Sequence, residues 1–326
     1  MGGKALTVST RRIAKPEYLT LRRETAEKLE QAGYPEVRFI PHVFNKTTFG
    51  DLDLLLPKPK LPNLHAKLRE MFQTQEIQPN KAVVSFEHRQ FQVDLIHTAP
   101  ENLETAQTYF AYNDLGMLMG VLAKRLGCKY GHDGLFYTYY SANREKRWDL
   151  FLSKNPRRIF RFLRLNYDRF RQGFGSLEEV FEFVCSSPLF DTDAFTDQEE
   201  WNHRRRTRNN KRASWHRFLQ YIEGRLKVKS PKPDKPLALV DASFPEAEIP
   251  KQIEAIREQE RYRLQVKAKF NGDKVRALTG LEGKELGQFI ARFKQQFQDF
   301  PQFVLNNSQN VIDQQVILYK EQGEIL

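Results

Sequence analysis

Cysteine is scarce in this chain, which has only Cys128 and Cys185 among its 326 residues. No CxxC pair and no Cys/His cluster occurs, and the seven histidines lack HExxH or any comparable ligand spacing. We therefore expect neither a structural zinc site nor a disulfide framework.

Long apolar runs are also missing from the sequence. No stretch approaches the length of a membrane span, and the N-terminus, MGGKALTVSTRR, lacks the apolar core of a signal peptide. The expected location is therefore cytoplasmic. Apolar residues still make up 40% of the chain, so the chain is not disordered, and 326 residues are long enough for two or three domains with a real core. The composition leaves the oligomeric state open.

Acidic residues are outnumbered by basic ones. The chain has 41 Asp and Glu against 52 Lys and Arg, which gives a formal net charge of +11. A basic excess of this size favours a polyanionic partner. Its densest part lies between Trp201 and Trp215 and contains Arg204, Arg205, Arg206, Arg208, Lys211 and Arg212. Together with the neighbouring aromatics this segment favours nucleic-acid contact, and a solvated helix face is the alternative.

The hydrophobic pattern predicts an α+β chain, with a mixed-sheet region up to about residue 150 and a mainly helical region after it. The predicted helices of the first region are 16–32, 62–74 and one long helix over 100–126. Its predicted strands are 36–43, 51–56, AVVSFEH, QFQVDLIHT, GLFYTYYS and KRWDLFLS. Residues 229–250 are rich in proline and predict a linker.

Two of the predicted strands carry acidic residues among apolar ones. Asp51 and Asp53 are two residues apart and so share one face of their strand. Carboxylates placed side by side repel each other unless a divalent cation lies between them, and solvated aspartates on an edge strand are the alternative. Asp94 lies in a second apolar strand, QVDLI. If the two strands are neighbours, the three carboxylates have the layout needed for two Mg²⁺ ions about 4 Å apart.

These motifs have a family resemblance. GDLDLLL followed by VDLI resembles the palm of the DNA polymerase β superfamily of nucleotidyltransferases. YFAYNDLGMLMGVLAKRLGCKYGHDGLFY, residues 109–137, is similar to the family X segment with a Tyr-Phe-Thr-Gly-Ser turn, a helix and a Gly-Leu-Phe strand. The resemblance covers about residues 36–141. It implies a mixed-sheet palm in which Asp51, Asp53 and Asp94 are catalytic and bind Mg²⁺ or Mn²⁺.

The sequence departs from the family pattern where the nucleotide is bound. The Gly-Ser pair that holds the triphosphate is absent, and the positions left for the phosphates are Asn45, Lys46, Thr47, Thr48 and Gly50. The Thr-Gly-Ser turn is replaced by Ala-Tyr-Asn, so the resemblance implies nucleotide contacts from Tyr112, Asn113 and Gly116. A buried aromatic helix start is the alternative for Tyr112. Asn113 can bond a 2′-OH, and we therefore expect a preference for ribonucleotides.

A second resemblance lies near the C-terminus. Residues 269–293, KFNGDKVRALTGLEGKELGQFIARF, resemble the tail of tRNA CCA-adding enzymes and bacterial poly(A) polymerases, and residues 280–284 also fit a helix-hairpin-helix loop. Glycines allow close backbone approach, and the N–H groups at a helix start attract phosphate. The resemblance implies RNA contact at Gly280, Gly283 and Lys284. A plain αα-hairpin is the alternative.

Together these features predict a nucleotidyltransferase that uses a nucleoside triphosphate to extend the 3′ end of a nucleic acid, with RNA such as tRNA favoured. The predicted reaction is two-metal-ion attack on the α-phosphate. The alternatives are a gap-filling family X-like DNA polymerase and a catalytically silent nucleic-acid-binding protein on the same scaffold. The predicted divisions are a nucleotidyltransferase palm over 1–150, a helical domain over 151–228, the linker over 229–250 and a helical nucleic-acid-binding tail over 251–326.

Overall fold

The computed structural model of the chain describes residue 3 and residues 5–197, 207, 209–210, 212–223, 228–234 and 236–323. Five of the basic residues predicted to bind nucleic acid lie outside the described residues: Arg204, Arg205, Arg206, Arg208 and Lys211. The chain divides into two compact units, Met1–Ile249 and Pro250–Leu326. The predicted α+β class is confirmed, because a mixed sheet is followed by a mostly helical C-terminal region.

The strands of the first unit form three sheets among the described residues. They are β1 (Ile13–Ala14), β2 (Arg38–Phe39), β3 (Thr48–Phe49), β4 (Asp51–Pro57), β5 (Ile77–Asn80), β6 (Val83–His88), β7 (Phe91–Thr98), β8 (Cys128–Gly131), β9 (Gly134–Tyr140) and β10 (Arg147–Ser153). The largest sheet has the order β2-β4-β7-β6-β5, and only its β4–β7 pair is parallel. The strands β10-β9-β8 form an antiparallel sheet, and β1 pairs with β3.

The described helices of the first unit are α1 (Lys15–Gln31), α2 (Leu64–Phe72), α3 (Leu103–Phe110), α4 (Leu115–Arg125), α5 (Pro156–Phe162), α6 (Tyr167–Gln172), α7 (Leu177–Cys185), α8 (Thr192–Thr196), α9 (Ala213–Glu223) and α10 (Pro236–Ser243). Those that follow are α11 (Ile249–Lys269), α12 (Gly272–Thr279), α13 (Gly283–Gln295), α14 (Phe300–Asn306) and α15 (Gln309–Gly323). Over the described part of the chain, none of these helices is both long and apolar enough to cross a membrane.

The two faces of β4 pack against different partners because side chains alternate along a strand. Leu52 and Leu54 are buried in the core that the large sheet shares with α1 and α2. Leu55 points to the opposite face and packs against Leu103 and other residues of α3. Asp51 and Asp53 share this second face with Leu55, so the acidic residues lie on the side of the sheet that α3 covers further along the strand.

The long helix predicted over 100–126 is wrong, because the chain breaks between α3 and α4. Tyr112 and Asn113 both have positive φ angles, 54° and 64°, which end the helical path. Asparagine tolerates this conformation better than most residues. Gly116 then allows α4 to start against the end of α3, since a Cβ at this position would lie 2.1 Å from the Tyr109 carbonyl oxygen.

Residues 229–250, predicted to be a linker, contain a packed helix. Pro236 is the first residue of α10, where its missing N–H removes no helical hydrogen bond. Val240 and Phe244 are buried, and the Phe244 ring lies 5.1 Å from that of Phe162. Proline content alone therefore predicted too little structure for this segment.

Candidate active site

Three carboxylates meet on one face of the large sheet. The parallel register of β4 and β7 places Asp53 directly opposite Asp94, and Asp51 lies two residues before Asp53 on the same face. Each of the three residues offers an oxygen, and these oxygens all lie within 4.8 Å of one another. Carboxylate oxygens are the ligands that hard divalent cations prefer, so the group can hold a metal ion.

Without a bound cation, burial and mutual repulsion disfavour the ionised form of these carboxylates. Burial and the neighbouring carboxylates of Asp51 and Asp94 raise the pKa of Asp53 to about 8. Burial also raises the pKa of Asp94, although Gln92 Nε2 donates hydrogen bonds to both of its oxygens at 3.0 and 2.9 Å. A divalent cation would relieve this crowding of negative charge, and the donor set therefore fits Mg²⁺ or Mn²⁺.

A cavity of about 220 Å³ opens beside the carboxylates. Asp51 and Asp53 line it together with two further residues that the sequence singled out, Lys46 and Asn113. Burial lowers the pKa of the Lys46 ammonium, while Asp51 and Asp53 act in the opposite direction. The cavity thus combines an acidic pair, a cation and an amide. Its remaining walls are Tyr18, Ile40, Pro41, His42, Phe49, Ile96 and Phe110.

Two of the residues expected at the nucleotide do not line this cavity. Tyr112 is buried, and its ring stands perpendicular to that of Phe174 at 4.8 Å. Its backbone N–H donates to the Pro41 carbonyl at 2.8 Å. Gly116 is buried under α3, where its lack of a side chain permits the contact with Tyr109. Both residues shape the turn that presents Asn113.

The loop before β4 contributes fewer residues to the cavity than the sequence predicted. Asn45, Thr47 and Thr48 are exposed and do not line the cavity, and neither does the buried Gly50. The backbone N–H of Asn45 donates to the Gly175 carbonyl at 2.9 Å. Thr48 accepts from Arg12 through its hydroxyl at 3.1 Å. Of the loop residues expected at the phosphates, Lys46 alone reaches the cavity.

Sequence reasoning missed two cavity residues, Tyr18 and His42. Tyr18 stacks on Phe49 with ring centroids 3.7 Å apart, and burial raises its pKa. The His42 ring lies 4.8 Å from that of Phe49, and no described group hydrogen-bonds its buried Nε2. Burial lowers the pKa of His42. Tyr18 is one apolar position of an amphipathic helix, so no sequence signal marked it. His42 lies where the family carries Gly-Ser, which is a signal that could have been used.

The residues expected to bind nucleic acid lie elsewhere. Arg212 forms an ion pair with Asp114, which also accepts from the Ser214 hydroxyl. These contacts fix the residue that follows Asn113.

In the second unit, Gly280 ends α12 with a φ of 67°, and its N–H donates to the Arg276 carbonyl at 2.8 Å. Gly283 begins α13 with a φ of 52°, and Lys284 is exposed. Residues 280–282 thus form the short turn of a helical hairpin, and Gly283 and Lys284 are the first two residues of α13. Apart from neighbouring residues of the chain, no described protein atom lies within 4 Å of where a Cβ on either glycine would be.

Comparison with known proteins gives matches among solved structures but not among family models or curated proteins. No family model matches the chain, and no curated protein matches it. Among solved structures, the chain is similar to polymerase β of Leishmania infantum, solved as a ternary P/T complex, with a TM-score of 0.35 and 14% sequence identity. The match covers 41% of this chain and spans only 60% of the length of that polymerase.

Proposed function

We propose that this protein is a metal-dependent nucleotidyltransferase that extends the 3′ end of a nucleic acid. The observation that carries the proposal is the approach of the Asp51, Asp53 and Asp94 oxygens to within 4.8 Å of one another on adjacent parallel strands. Asp51 and Asp53 also line a cavity, so a bound ion would be accessible to a substrate. The palm motifs in the sequence support the same activity.

The residues of the site have distinct proposed roles. Asp51, Asp53 and Asp94 would hold Mg²⁺ or Mn²⁺. When bound, such ions neutralise phosphate charge and lower the pKa of an attacking hydroxyl. Gln92 orients the Asp94 carboxylate through its two hydrogen bonds. Lys46 would stabilise negative charge on the triphosphate, because its ammonium lies in the same cavity as the acidic pair.

We favour ribonucleotides as substrates and RNA such as tRNA as the acceptor. Asn113 supports this choice, because it lines the cavity and its amide can both donate to and accept from a 2′-OH. The exposed start of α13 at Gly283, with the exposed Lys284, supports phosphate contact in the helical tail. In this proposal residues 1–150 act as the catalytic palm, and residues 151–228 and 251–326 hold the acceptor.

One incubation tests the proposal directly. The full chain is mixed with each labelled NTP and dNTP in turn, with Mg²⁺ or Mn²⁺ and a pool of tRNA and DNA primers, and the products are separated on a denaturing gel. We expect a metal-dependent ladder or single addition that Asp53→Asn abolishes. Asp168→Asn is the matched control, because Asp168 is an exposed partner of Arg157 outside the cavity. Extension that survives in Asp53→Asn, or its absence from the wild type under every condition, would overturn the proposal.

A further inference from the structure

The three-stranded sheet β10-β9-β8 has one buried face and one exposed face. Leu135 and Leu150 point to the buried face. Alternation along the strands places Phe136, Tyr140 and Phe151 on the other face, where Phe136 is the register partner of Phe151. Tyr140 and Phe151 are 44% and 43% exposed. We call Phe136, Tyr140 and Phe151 the aromatic platform.

The two phenylalanine rings of the aromatic platform contact each other and are not coplanar. Phe136 and Phe151 meet edge to face, with centroids 5.7 Å apart and planes at 71°. The neighbouring Gly134 lies close to the Phe151 ring, since a Cβ there would lie 3.3 Å from the Cε2 atom of that ring. Large exposed aromatic side chains grouped on one sheet face are unusual on a surface that binds nothing.

Positive charge surrounds the aromatic platform. A cation lies near each ring: Lys129 at 5.1 Å from Phe136, Lys154 at 5.8 Å from Phe151 and Arg144 at 5.8 Å from Tyr140. Arg147 is the register partner of Tyr140 and adds a fourth. The charges of a polyanion would complement this rim.

Two carboxylates neutralise part of this positive charge. Asp149 pairs with Lys129 at 3.0 Å and with Arg147 at 2.8 Å. Glu101 lies 3.6 Å from Lys154. Four cations therefore meet two carboxylates, and the net charge of the rim is positive. All of these pairs are at least partly exposed, so they can exchange one partner for another at little cost.

We propose that the aromatic platform binds single-stranded nucleic acid, with bases stacked on its rings and phosphates near the surrounding cations. Unstacked bases bind to exposed aromatics on a sheet in this way, and the cations follow the backbone. A duplex hides the faces of its bases and would gain only the charge contacts. This inference rests on the proposed function in one respect, namely that the acceptor is a nucleic acid, and it assigns a surface for that strand.

Fluorescence anisotropy on the full chain tests this assignment, with a labelled single-stranded RNA of about 12 nucleotides as the probe. Phe151→Ala and Tyr140→Ala should each weaken binding by about fivefold to a hundredfold, because each removes one stacking surface. Phe151→Trp should retain affinity, whereas Phe151→Leu should lose it, since leucine keeps the apolar contact but not the ring. The same sequence as a duplex should bind less tightly and lose little in the Ala variants.

Matched variants separate the possible outcomes. Leu239→Ala removes a side chain that is 41% exposed outside the platform and should leave affinity unchanged. The inference is overturned if both aromatic variants bind the RNA as tightly as the wild type, or if Phe151→Leu does. It is also overturned if the aromatic platform binds another protein and the chain has no affinity for RNA. If the wild type binds RNA at the aromatic platform but transfers no nucleotide, the proposed function is wrong and the inference about the platform stands.

Discussion

Asp53 and Asp94 are register partners in the parallel strands β4 and β7, so their carboxylates share one face of the sheet. Neither can move away without breaking the ladder that holds its strand. The repulsion between them and Asp51 is therefore built into the fold, and burial together with this repulsion raises the pKa of Asp53 to about 8. A divalent cation is the natural counter-charge for such a group.

We expect Mg²⁺ to raise the thermal unfolding midpoint of the wild type, because an ion that binds only the folded state stabilises it by about 2.7 kcal/mol at a hundredfold excess over its Kd. Asp53→Asn should raise the free energy of unfolding without metal by about 1 kcal/mol or more, since the Asp53 carboxyl, whose pKa is raised to about 8, must take up a proton on folding at pH 7 and asparagine does not. It should also abolish the Mg²⁺ response. Differential scanning fluorimetry at pH 7 with EDTA or Mg²⁺ measures both effects. An equal Mg²⁺ shift in wild type and Asp53→Asn would contradict the metal assignment.

Asn113 should govern the choice between ribo- and deoxyribonucleotides. Its amide lines the cavity, and loss of a hydrogen bond to a 2′-OH costs about tenfold in selectivity. Asn113→Gly is the informative variant, because glycine keeps the φ of 64° without strain and removes only the side chain. In steady-state kinetics with matched NTP and dNTP pairs, the ratio of kcat/KM for the NTP to kcat/KM for the dNTP should be smaller in this variant than in the wild type. The exposed Asn80→Ala should leave that ratio unchanged; a wild type that prefers the dNTP would favour the DNA polymerase alternative.

Two glycines of α4 should respond in opposite directions to the same substitution. Gly116→Ala places a Cβ 2.1 Å from the Tyr109 carbonyl oxygen, so we expect a loss of about 1–3 kcal/mol in the free energy of unfolding. At Gly120 the nearest atom to a Cβ is 3.9 Å away, and alanine should stabilise the helix by up to about 1 kcal/mol. Chemical denaturation of both variants measures the difference. Similar stabilities would show that the α3–α4 contact is looser than described.

His97 should make the protein less stable in mild acid. Burial lowers its pKa from 6.5 to about 4, and its ring is hydrogen-bonded by Tyr34 at 2.7 Å. Between pH 6.5 and 4 the His97 imidazole binds a proton in the unfolded chain but stays neutral in the folded protein. The contribution of neutral His97 is therefore complete above pH 6.5 and is lost as the pH falls towards 4, by about 2–3 kcal/mol at most.

Denaturant unfolding across this pH range should show a shallower pH dependence for His97→Gln than for the wild type, because glutamine does not titrate. The exposed His65→Gln is the matched control and should follow the wild-type profile. Identical slopes in wild type and His97→Gln would remove His97 as the cause.

Binding of a polynucleotide should weaken steeply with salt, because contacts between Lys or Arg and phosphate release counterions. Replacement of Arg204, Arg205 and Arg206 by alanine should lower affinity and reduce the slope of log K against log salt concentration by about one unit per lost contact. Arg23→Ala, on the exposed side of α1, is a control of equal charge change per residue. Affinity that is the same at low and high salt would count against a polyanionic partner.

Local pattern was enough to predict a large part of this protein. The α+β class follows from apolar periods of two and of 3.6, which each segment carries within itself. The shared face of Asp51 and Asp53 follows from strand alternation alone. The arginine-rich segment is likewise a local feature, and composition alone was enough to recognise it.

Only the tertiary structure decided which distant residues meet. The family resemblance implied that Asp51, Asp53 and Asp94 act together, but local pattern does not state that β4 and β7 run parallel and adjacent, or that Asp53 is opposite Asp94. The break at Tyr112 is enforced by contacts with Pro41 and Phe174, which override the helical preference of the segment. Tyr18 and His42 reach the cavity from separate elements for the same reason. Periodicity fixes the face on which a side chain lies, whereas the neighbour across that face depends on long-range packing that pattern does not encode.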